Sequence, residues 1–325
     1  PHLFSSAASD VYKRQSDPHA IREHTDQLVA LEDGQIAKLD AHDFQVMQTD
    51  GQEVESHLIQ LEEEWGESEL GEYPHFMLKE IHEQSQSLQH CISGRLRHGE
   101  GTSVLGGLQV QPQELAQLPH VRLIGCGTAL HAAQIGQILI EQWARIPAVS
   151  HVASEFNAND PVINPKALHL AISQSGETAD TLSAVKEIQR KGADVYGVVN
   201  VVGSSIARQC GKGVYIHSGP EQSVASTKAF TNMVGALALF ALQLGRSRHL
   251  SKTKGKSIIR EMRTLPEKIR TYLNQPGPIE QAVELVTKAK SVLFLGRGIS
   301  SPVASEGALK LMEICLLYTS PSPRD

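Results

Sequence analysis

The segment Ala167-Leu-His-Leu-Ala-Ile-Ser-Gln-Ser-Gly-Glu-Thr-Ala-Asp-Thr181 decides the fold class of this chain. Its apolar run, 167–172, predicts a buried strand, and a helical pattern follows the loop after it. Between the two, Ser173, Ser175 and Thr178 surround a glycine. A hydroxyl-rich turn from a strand into a helix is typical of a phosphate site. The first N–H groups of such a helix are free and carry partial positive charge.

The same loop contains no lysine or arginine, so it does not match a Walker-type nucleotide site. Its neutral donors suit a small sugar phosphate, and Gly176 allows the backbone to approach a ligand closely. The alternative is an ordinary helix cap with spare hydroxyls. Three hydroxyl side chains within residues 173–178 favour phosphate binding over that alternative.

Strands alternate with helices from residue 120 onward, which predicts an α/β fold with three layers and a parallel sheet. The strands are predicted at 121–124, 149–152, 167–172, 194–199 and 214–216, and the longer helices at 129–144, 179–190 and from about 228 to 244. In such sheets, ligands bind beyond the carboxyl ends of the strands. The Ser/Thr/Gly loops of this chain are predicted to lie at that edge.

The turn Gly125-Cys-Gly-Thr128 resembles the start of a dinucleotide fingerprint, but position 130 is leucine where the third glycine would stand. NAD binding is therefore the weaker interpretation, and we predict no cofactor. A tight turn that places N–H groups and the Thr128 hydroxyl beside a sugar phosphate fits the sequence better.

Two further segments contain candidate functional residues. In the loop before the long helix, Glu221 and the run 224–228 are consistent either with a helix cap or with contacts to sugar hydroxyls from Ser226 and the backbone near Val224. The two interpretations stay open.

Glu306, Lys310 and Glu313 stand at helical spacings of three and four. A solvated salt-bridge face is the simpler explanation. The functional alternative makes Glu313 a general base, with Lys310 beside it to balance charge. Moving a hydrogen between the first two carbons of a ketose phosphate needs one such base.

Composition excludes several classes of protein. The net charge of −6 over 325 residues argues against non-specific nucleic-acid binding. The four cysteines show no metal-ligand or CxxC spacing, which predicts free thiols and no metal site. The longest apolar stretch, 233–244, is too short to span a bilayer, and no signal peptide is visible. We expect a cytoplasmic protein without a membrane partner.

The flanking regions predict only parts of other domains. Residues 28–31 and 35–39 are predicted to form a hairpin around Glu32-Asp-Gly34, and a second turn is predicted at Asp50-Gly51. Near the other end, Val292-Leu-Phe-Leu-Gly-Arg-Gly298 repeats the pattern of 121–127, which predicts a strand followed by a helix.

Four segments carry a family resemblance: Ser173–Thr181, Val224–Thr231, Leu295–Gly298 and Glu306–Ile314. They resemble the sugar-isomerase (SIS) domains of the glutamine–fructose-6-phosphate aminotransferase (isomerizing) family. The segment 73–84 resembles the interdomain helix of that family, and 16–55 resembles the end of its glutaminase domain. The match covers about 16–314, nearly the whole chain.

The resemblance implies an enzyme that makes glucosamine 6-phosphate from fructose 6-phosphate and glutamine, and that forms a homodimer. Glutamine would be used only through a preceding N-terminal domain. It further implies that Lys310 and Glu313 are catalytic, with Glu313 shuttling the proton between carbons 1 and 2. The substrate-binding residues that it implies are Thr128, Ser173, Gln174, Ser175 and Thr178 for the phosphate, and Val224 and Ser226 for the sugar.

The chain departs from the family pattern at Ala129, at Gln222-Ser223 and at Met312, where serine, Ile-Gly and lysine are usual. The ring-opening histidine, the imine-forming lysine and the nucleophilic cysteine of the family match no residue here. We therefore expect the chain alone to bind sugar phosphate without completing the reaction. A non-catalytic regulator that senses sugar phosphate through a SIS domain, or an isomerase or deglycase that does not use glutamine, is the alternative.

The predicted organisation has seven parts. They are a non-native flank at 1–15, a β-rich remnant of a glutaminase domain at 16–66, an interdomain linker with helices at 67–116, the first SIS domain at 117–250, a linker at 251–281, the start of a second SIS domain at 282–314, and a second non-native flank at 315–325.

Overall fold

The computed structural model describes residues 27–29, 31, 34–40, 44–55, 58–60, 70–275 and 277–315. The predicted flank at 1–15, most of the flank at 315–325 and the acidic stretch at 61–69 lie outside these residues. The chain forms two compact units, Pro1–Glu69 and Leu70–Asp325.

The first unit contains two short antiparallel strand pairs. Strand β1 (Gln27–Val29) pairs with β4 (Leu58–Gln60), and β2 (Gln35–Leu39) pairs with β3 (Phe44–Gln48). The predicted hairpin of 28–31 with 35–39 is therefore wrong.

The pairing of β2 explains this error. It aligns Ile36 with Met47 and Ala37 with Val46, and Val46 is buried. An apolar partner later in the chain thus determines the register, because burial of one strand face fixes it more strongly than a local turn signal. The second predicted turn is confirmed, since the Gly51 N–H donates to the Gln48 carbonyl at 2.9 Å.

The second unit begins with a long helix and a small hairpin. These elements are helix α1 (Phe76–Ile92), strands β5 (Leu96–Arg97) and β6 (Thr102–Ser103), a 3₁₀ turn at Gly106–Leu108, and helix α2 (Pro112–Gln117). The ring of His75 caps α1 by accepting the Leu78 N–H at 3.2 Å. The helix predicted from 73–84 therefore exists and continues to residue 92.

A parallel five-stranded sheet forms the centre of the second unit. In chain order its elements are β7 (Val121–Gly125), α3 (Thr128–Ala144), β8 (Ala148–Val152), α4 (Ala153–Phe156), β9 (Leu168–Ser173), α5 (Ala179–Arg190), β10 (Val195–Val199), α6 (Ser205–Cys210), β11 (Gly213–Tyr215) and α7 (Lys228–Arg246). The strand order is β11-β10-β9-β7-β8, with every pairing parallel. The predicted α/β fold is confirmed.

The sheet buries both of its faces. Leu170 and Ile172 of β9 join the core formed with α3 and α7, while Ala171 joins the core formed with α5 and α6. Every residue of β9 is buried. This explains its nearly continuous apolar sequence, since a central parallel strand is covered on both sides.

Helix α7 is the one segment among the described residues with the length and apolar composition of a membrane span. The helix of 19 residues is longer than the apolar stretch that the sequence analysis judged too short. In the fold, 72% of its most apolar window is buried inside the protein, mainly against α1 and α3. Burial of this kind is typical of a core helix.

The region after α7 differs from expectation. The predicted linker at 251–281 is largely helical, with α8 (Lys252–Leu273) and α9 (Gly277–Lys288), and α10 (Ser300–Cys315) follows. The strand predicted at Val292–Leu295 is absent from the described residues, and Leu293 and Leu295 are exposed. No described strand pairs with this segment, and a strand needs a partner to satisfy its backbone.

Candidate functional site

The carboxyl ends of three neighbouring strands bring the predicted site together. Strand β7 ends at Gly125, β9 at Ser173 and β10 at Val199, and the parallel register aligns Val199 with Ser173. The loops that follow these strands begin at the same edge of the sheet. Parallel sheets of this kind bind ligands at that edge.

The loop after β9 is organised by its own hydroxyl groups. The Ser173 hydroxyl accepts the Gly176 N–H at 3.0 Å and lies 2.9 Å from the Thr178 hydroxyl. The Ser175 hydroxyl accepts the Glu177 N–H at 3.1 Å, which leaves its own O–H available to donate. These bonds fix the loop at the start of α5, whose first N–H groups have no partner within the helix.

Two buried polar atoms beside this loop have no partner among the described protein atoms: the side-chain nitrogen of Gln174 and the hydroxyl oxygen of Ser204. Ser204 follows β10 and faces Gly176, since a Cβ built on Gly176 would lie 2.0 Å from the Ser204 hydroxyl oxygen. Gly176 also has a φ of +68°, which favours glycine. Sequence analysis missed Ser204. Its position after a strand at the ligand edge was the available signal.

Asn200 connects three loops at this edge and was also missed. Its backbone N–H donates to the Gln174 carbonyl at 3.1 Å. Its side chain donates to the Gly219 carbonyl and accepts the Ser218 N–H, both at 2.8 Å. The side chain is buried, so these bonds fix the loop after β11 relative to the loop after β9.

The Thr128 hydroxyl makes its hydrogen bonds with α10. It donates to Glu306 Oε1 at 2.9 Å and accepts from the Lys310 ammonium at 3.0 Å. The same ammonium lies 2.6 Å from Glu313 Oε2 and 3.4 Å from Glu306 Oε1. The expected placement of Lys310 beside both acids is confirmed, and Thr128 joins that group.

Glu306 is the most buried acid of this group, and its second oxygen lies 2.7 Å from His131 Nδ1. A carboxylate only accepts hydrogen bonds, so His131 donates from Nδ1 when Glu306 is ionised. The group is therefore a buried polar network between α3 and α10. A solvated salt-bridge face does not describe it.

The loop after β11 contains a buried carboxylate. Glu221 accepts the N–H groups of Thr227 and Ala229 at 2.8 and 3.1 Å and the Ser226 hydroxyl at 2.8 Å. Burial raises the pKa of Glu221, and these three hydrogen bonds oppose the rise. In the same loop the Val224 side chain is 94% exposed. Ser226 thus donates its hydroxyl within the protein, whereas Val224 faces outward.

No metal site is evident in the described residues, where no three His, Cys, Asp or Glu side chains gather as ligands would. Cys91, Cys126 and Cys210 are free thiols. All the side chains at this edge of the sheet that could bind a ligand are hydroxyls, amides, carboxylates or the Lys310 ammonium.

Comparison with protein-family models assigns the sheet and its loops to a known class. The model of the SIS domain matches residues 114–243, from α2 to near the end of α7. The second unit therefore contains a SIS domain.

Relatives of known name extend this assignment. Glutamine–fructose-6-phosphate aminotransferases (isomerizing) from Thermus thermophilus and Bacteroides thetaiotaomicron are each 41% identical to the chain, over 95% and 99% of its length. The solved C-terminal domain of glucosamine-fructose-6-phosphate aminotransferase from Francisella tularensis superposes with a TM-score of 0.71 at 32% identity. That match covers 76% of this chain and 69% of the other.

This chain belongs to the glutamine–fructose-6-phosphate aminotransferase family. It spans about half the length of the curated relatives it matches, 50% and 53% of the two named above.

Proposed function

We propose that this chain binds a hexose 6-phosphate at the carboxyl edge of its parallel sheet. The observation that supports this most strongly is the pair of unpartnered polar groups, the Gln174 amide nitrogen and the Ser204 hydroxyl, at the start of α5. Buried polar groups normally have partners, and both of these groups can donate to a phosphate oxygen. The free N–H groups at the start of α5 add positive potential.

The phosphate would be held by neutral donors. The Ser175 O–H, one O–H of the Ser173–Thr178 pair and the Gln174 amide are available for this role. Thr128 stands at the end of the neighbouring strand, and we assign it to the same end of the ligand. Val224, exposed on its loop, and Ser226 would contact the sugar.

The names of the relatives suggest the substrate. They point to fructose 6-phosphate as the acceptor and glucosamine 6-phosphate as the product. In this proposal Glu313 is the base that moves a proton between carbons 1 and 2, because one carboxylate can reach both adjacent carbons. The Lys310 ammonium, 2.6 Å from Glu313, stabilises the negative charge that develops during that transfer.

The whole enzyme would use further parts. We propose that glutamine is hydrolysed by a preceding domain, that the enzyme works as a homodimer in the cytoplasm, and that it requires no cofactor. The chain itself would bind sugar phosphate without completing the reaction, since no residue here matches the ring-opening histidine or the imine-forming lysine of the family.

Calorimetric titration of the full chain with fructose 6-phosphate tests the binding proposal. We expect saturable binding that requires the phosphate group, with free fructose giving no signal. Ser175→Ala removes one donor to a charged ligand and should weaken binding about tenfold. Ser247→Ala, at the far end of α7, is the matched control and should bind like the wild type. Absence of binding, or equal binding of fructose, would contradict the proposal.

A further inference from the structure

Helix α1 supplies a buried carboxylate to the loop that contains Val224. The Glu80 side chain is 1% exposed. Its Oε1 accepts the N–H of Gln222 at 2.6 Å and that of Ser223 at 3.2 Å, and its Oε2 accepts the Ser223 hydroxyl. Hydrogen bonds from N–H groups to a carboxylate are among the stronger ones in proteins. Three donors of one short segment therefore converge on a single side chain.

Glu221 holds the other end of the same loop. It accepts from Ser226, Thr227 and Ala229, so the two carboxylates fix the backbone on both sides of residues 224 and 225. Between these anchors Ala225 is buried, whereas Val224 is 94% exposed. The loop is thus fixed at both ends and presents a single apolar side chain outward.

The Glu80 contact belongs to a continuous interface between α1 and the start of α7. One helical turn beyond Glu80, Glu83 pairs with the buried Lys228 at 2.6 Å. Further along, Ser87 donates to Asn232 at 3.2 Å. Residues 80, 83, 84 and 87 share one face of a helix, so α1 holds the loop and the following helix together.

We propose that Glu80 is a positioning residue that sets the orientation of Val224 toward the bound sugar. This inference rests on the proposed sugar-phosphate function and adds a residue outside the matched SIS domain, which begins at residue 114. The hydroxyl of Ser223, at a position where the family usually has glycine, adds a third bond to this anchor. A change in the position of α1 would therefore change the sugar site directly.

A purely structural role for Glu80 makes a different prediction. Loss of a buried hydrogen-bonded carboxylate destabilises the fold in either case. Only a positioning role also alters the loop and the affinity for sugar at temperatures where the fold remains intact. Ser87→Ala is the matched control, because it removes another buried bond between the same two helices and leaves the loop contacts in place.

The test combines amide hydrogen exchange of the full chain with titration by fructose 6-phosphate. Glu80→Ala should speed exchange of the Gln222 and Ser223 amides at least tenfold and weaken binding at least tenfold. The Thr227 amide, held by Glu221, should change less. Glu80→Gln retains an oxygen acceptor and should restore binding to within about threefold of the wild type.

Three results would overturn the inference: unchanged exchange at Gln222 and Ser223 in Glu80→Ala, affinity equal to the wild type, or an equal loss of affinity in Ser87→Ala. Ser223→Ala is a milder variant for the case in which Glu80→Ala does not fold. It should speed exchange at residue 223 several-fold, and no change there also overturns the inference. If the wild type binds no fructose 6-phosphate, the proposed function fails and the exchange rates alone decide the anchoring role of Glu80.

Discussion

The Lys310 ammonium lies 3.0 Å from the hydroxyl oxygen of Thr128, and this contact connects α10 to the start of α3. Thr128 passes the connection on by donating to Glu306, which is buried. The residues proposed for proton transfer and one residue proposed for phosphate binding therefore belong to one hydrogen-bonded network. Removing any member should affect the others, because the partners left behind are poorly solvated.

Lys310→Met should lower the free energy of unfolding by about 2 kcal/mol, since it leaves Glu306 and Glu313 beside each other without the cation. Urea unfolding at pH 7 measures this. Lys290→Met, at an exposed position, is the matched control and should change stability by less than about 0.5 kcal/mol. Equal stabilities of the two variants would show that the network does not stabilise the docking of α10.

Gly176→Ala should destabilise the loop after β9 strongly. The residue has a φ of +68°, and an added Cβ would lie 2.0 Å from the Ser204 hydroxyl oxygen and 2.5 Å from the Ser204 Cβ. Gly203→Ala is a close control, because that residue has a φ of +72° with nothing within 4 Å of the added carbon.

The control should cost about 1–2 kcal/mol for its backbone conformation. Gly176→Ala should cost about 1–3 kcal/mol more for the clash, measured by urea unfolding. If both variants lose the same stability, Ser204 does not pack against Gly176 as described.

The buried His169 should make the protein less stable in mild acid. Burial lowers the pKa of His169 to about 4, and the nearby Arg122 guanidinium lowers it further. The ordinary value is 6.5, so between pH 6.5 and about 4 the unfolded chain binds a proton that the folded chain does not. This contribution is absent above pH 6.5 and grows to about 3 kcal/mol of lost stability near pH 4.

Unfolding free energies measured by urea from pH 7 to 4 should therefore fall less steeply for His169→Leu than for the wild type. His98→Gln, at an exposed position, should leave the slope unchanged. An identical slope for wild type and His169→Leu would mean that this histidine is protonated in the folded state.

The free thiols should differ in reactivity. Burial raises the pKa of Cys91 to about 11 and that of Cys210 to about 12, whereas Cys126 is partly exposed. The thiolate is the reactive form, so both high-pKa thiols should react slowly at pH 8. Alkylation followed by peptide mass mapping should modify Cys126 at least tenfold faster in the folded protein, with the difference lost in urea. Equal native rates would contradict this environment for Cys91 and Cys210.

The sheet and its ligand edge could be predicted because their signals are local. The apolar run of β9, the hydroxyl loop and the start of α5 stand within fifteen consecutive residues, 167–181. Each strand after residue 120 is likewise a short apolar run followed by a turn and a helix. Parallel sheets favour such sequences, because both faces of the strands are covered.

What the sequence did not reveal depends on distant partners. The linker assigned at 251–281 has a charged composition, but Ile258 and Ile259 of α8 pack against Leu242 and stabilise a helix. The partner of β1 lies thirty residues away, at 58–60. Glu80 and Gln222 are separated by 142 positions, and no local pattern announces that contact.

The most direct test of phosphate binding at the start of α5 follows the backbone amide resonances of the full chain during titration with fructose 6-phosphate. The account predicts that the largest shifts fall on residues 174–181, with smaller ones at Ser204 and Val224, and that they saturate together. Shifts that are absent from 174–181, or that free fructose reproduces, would contradict it.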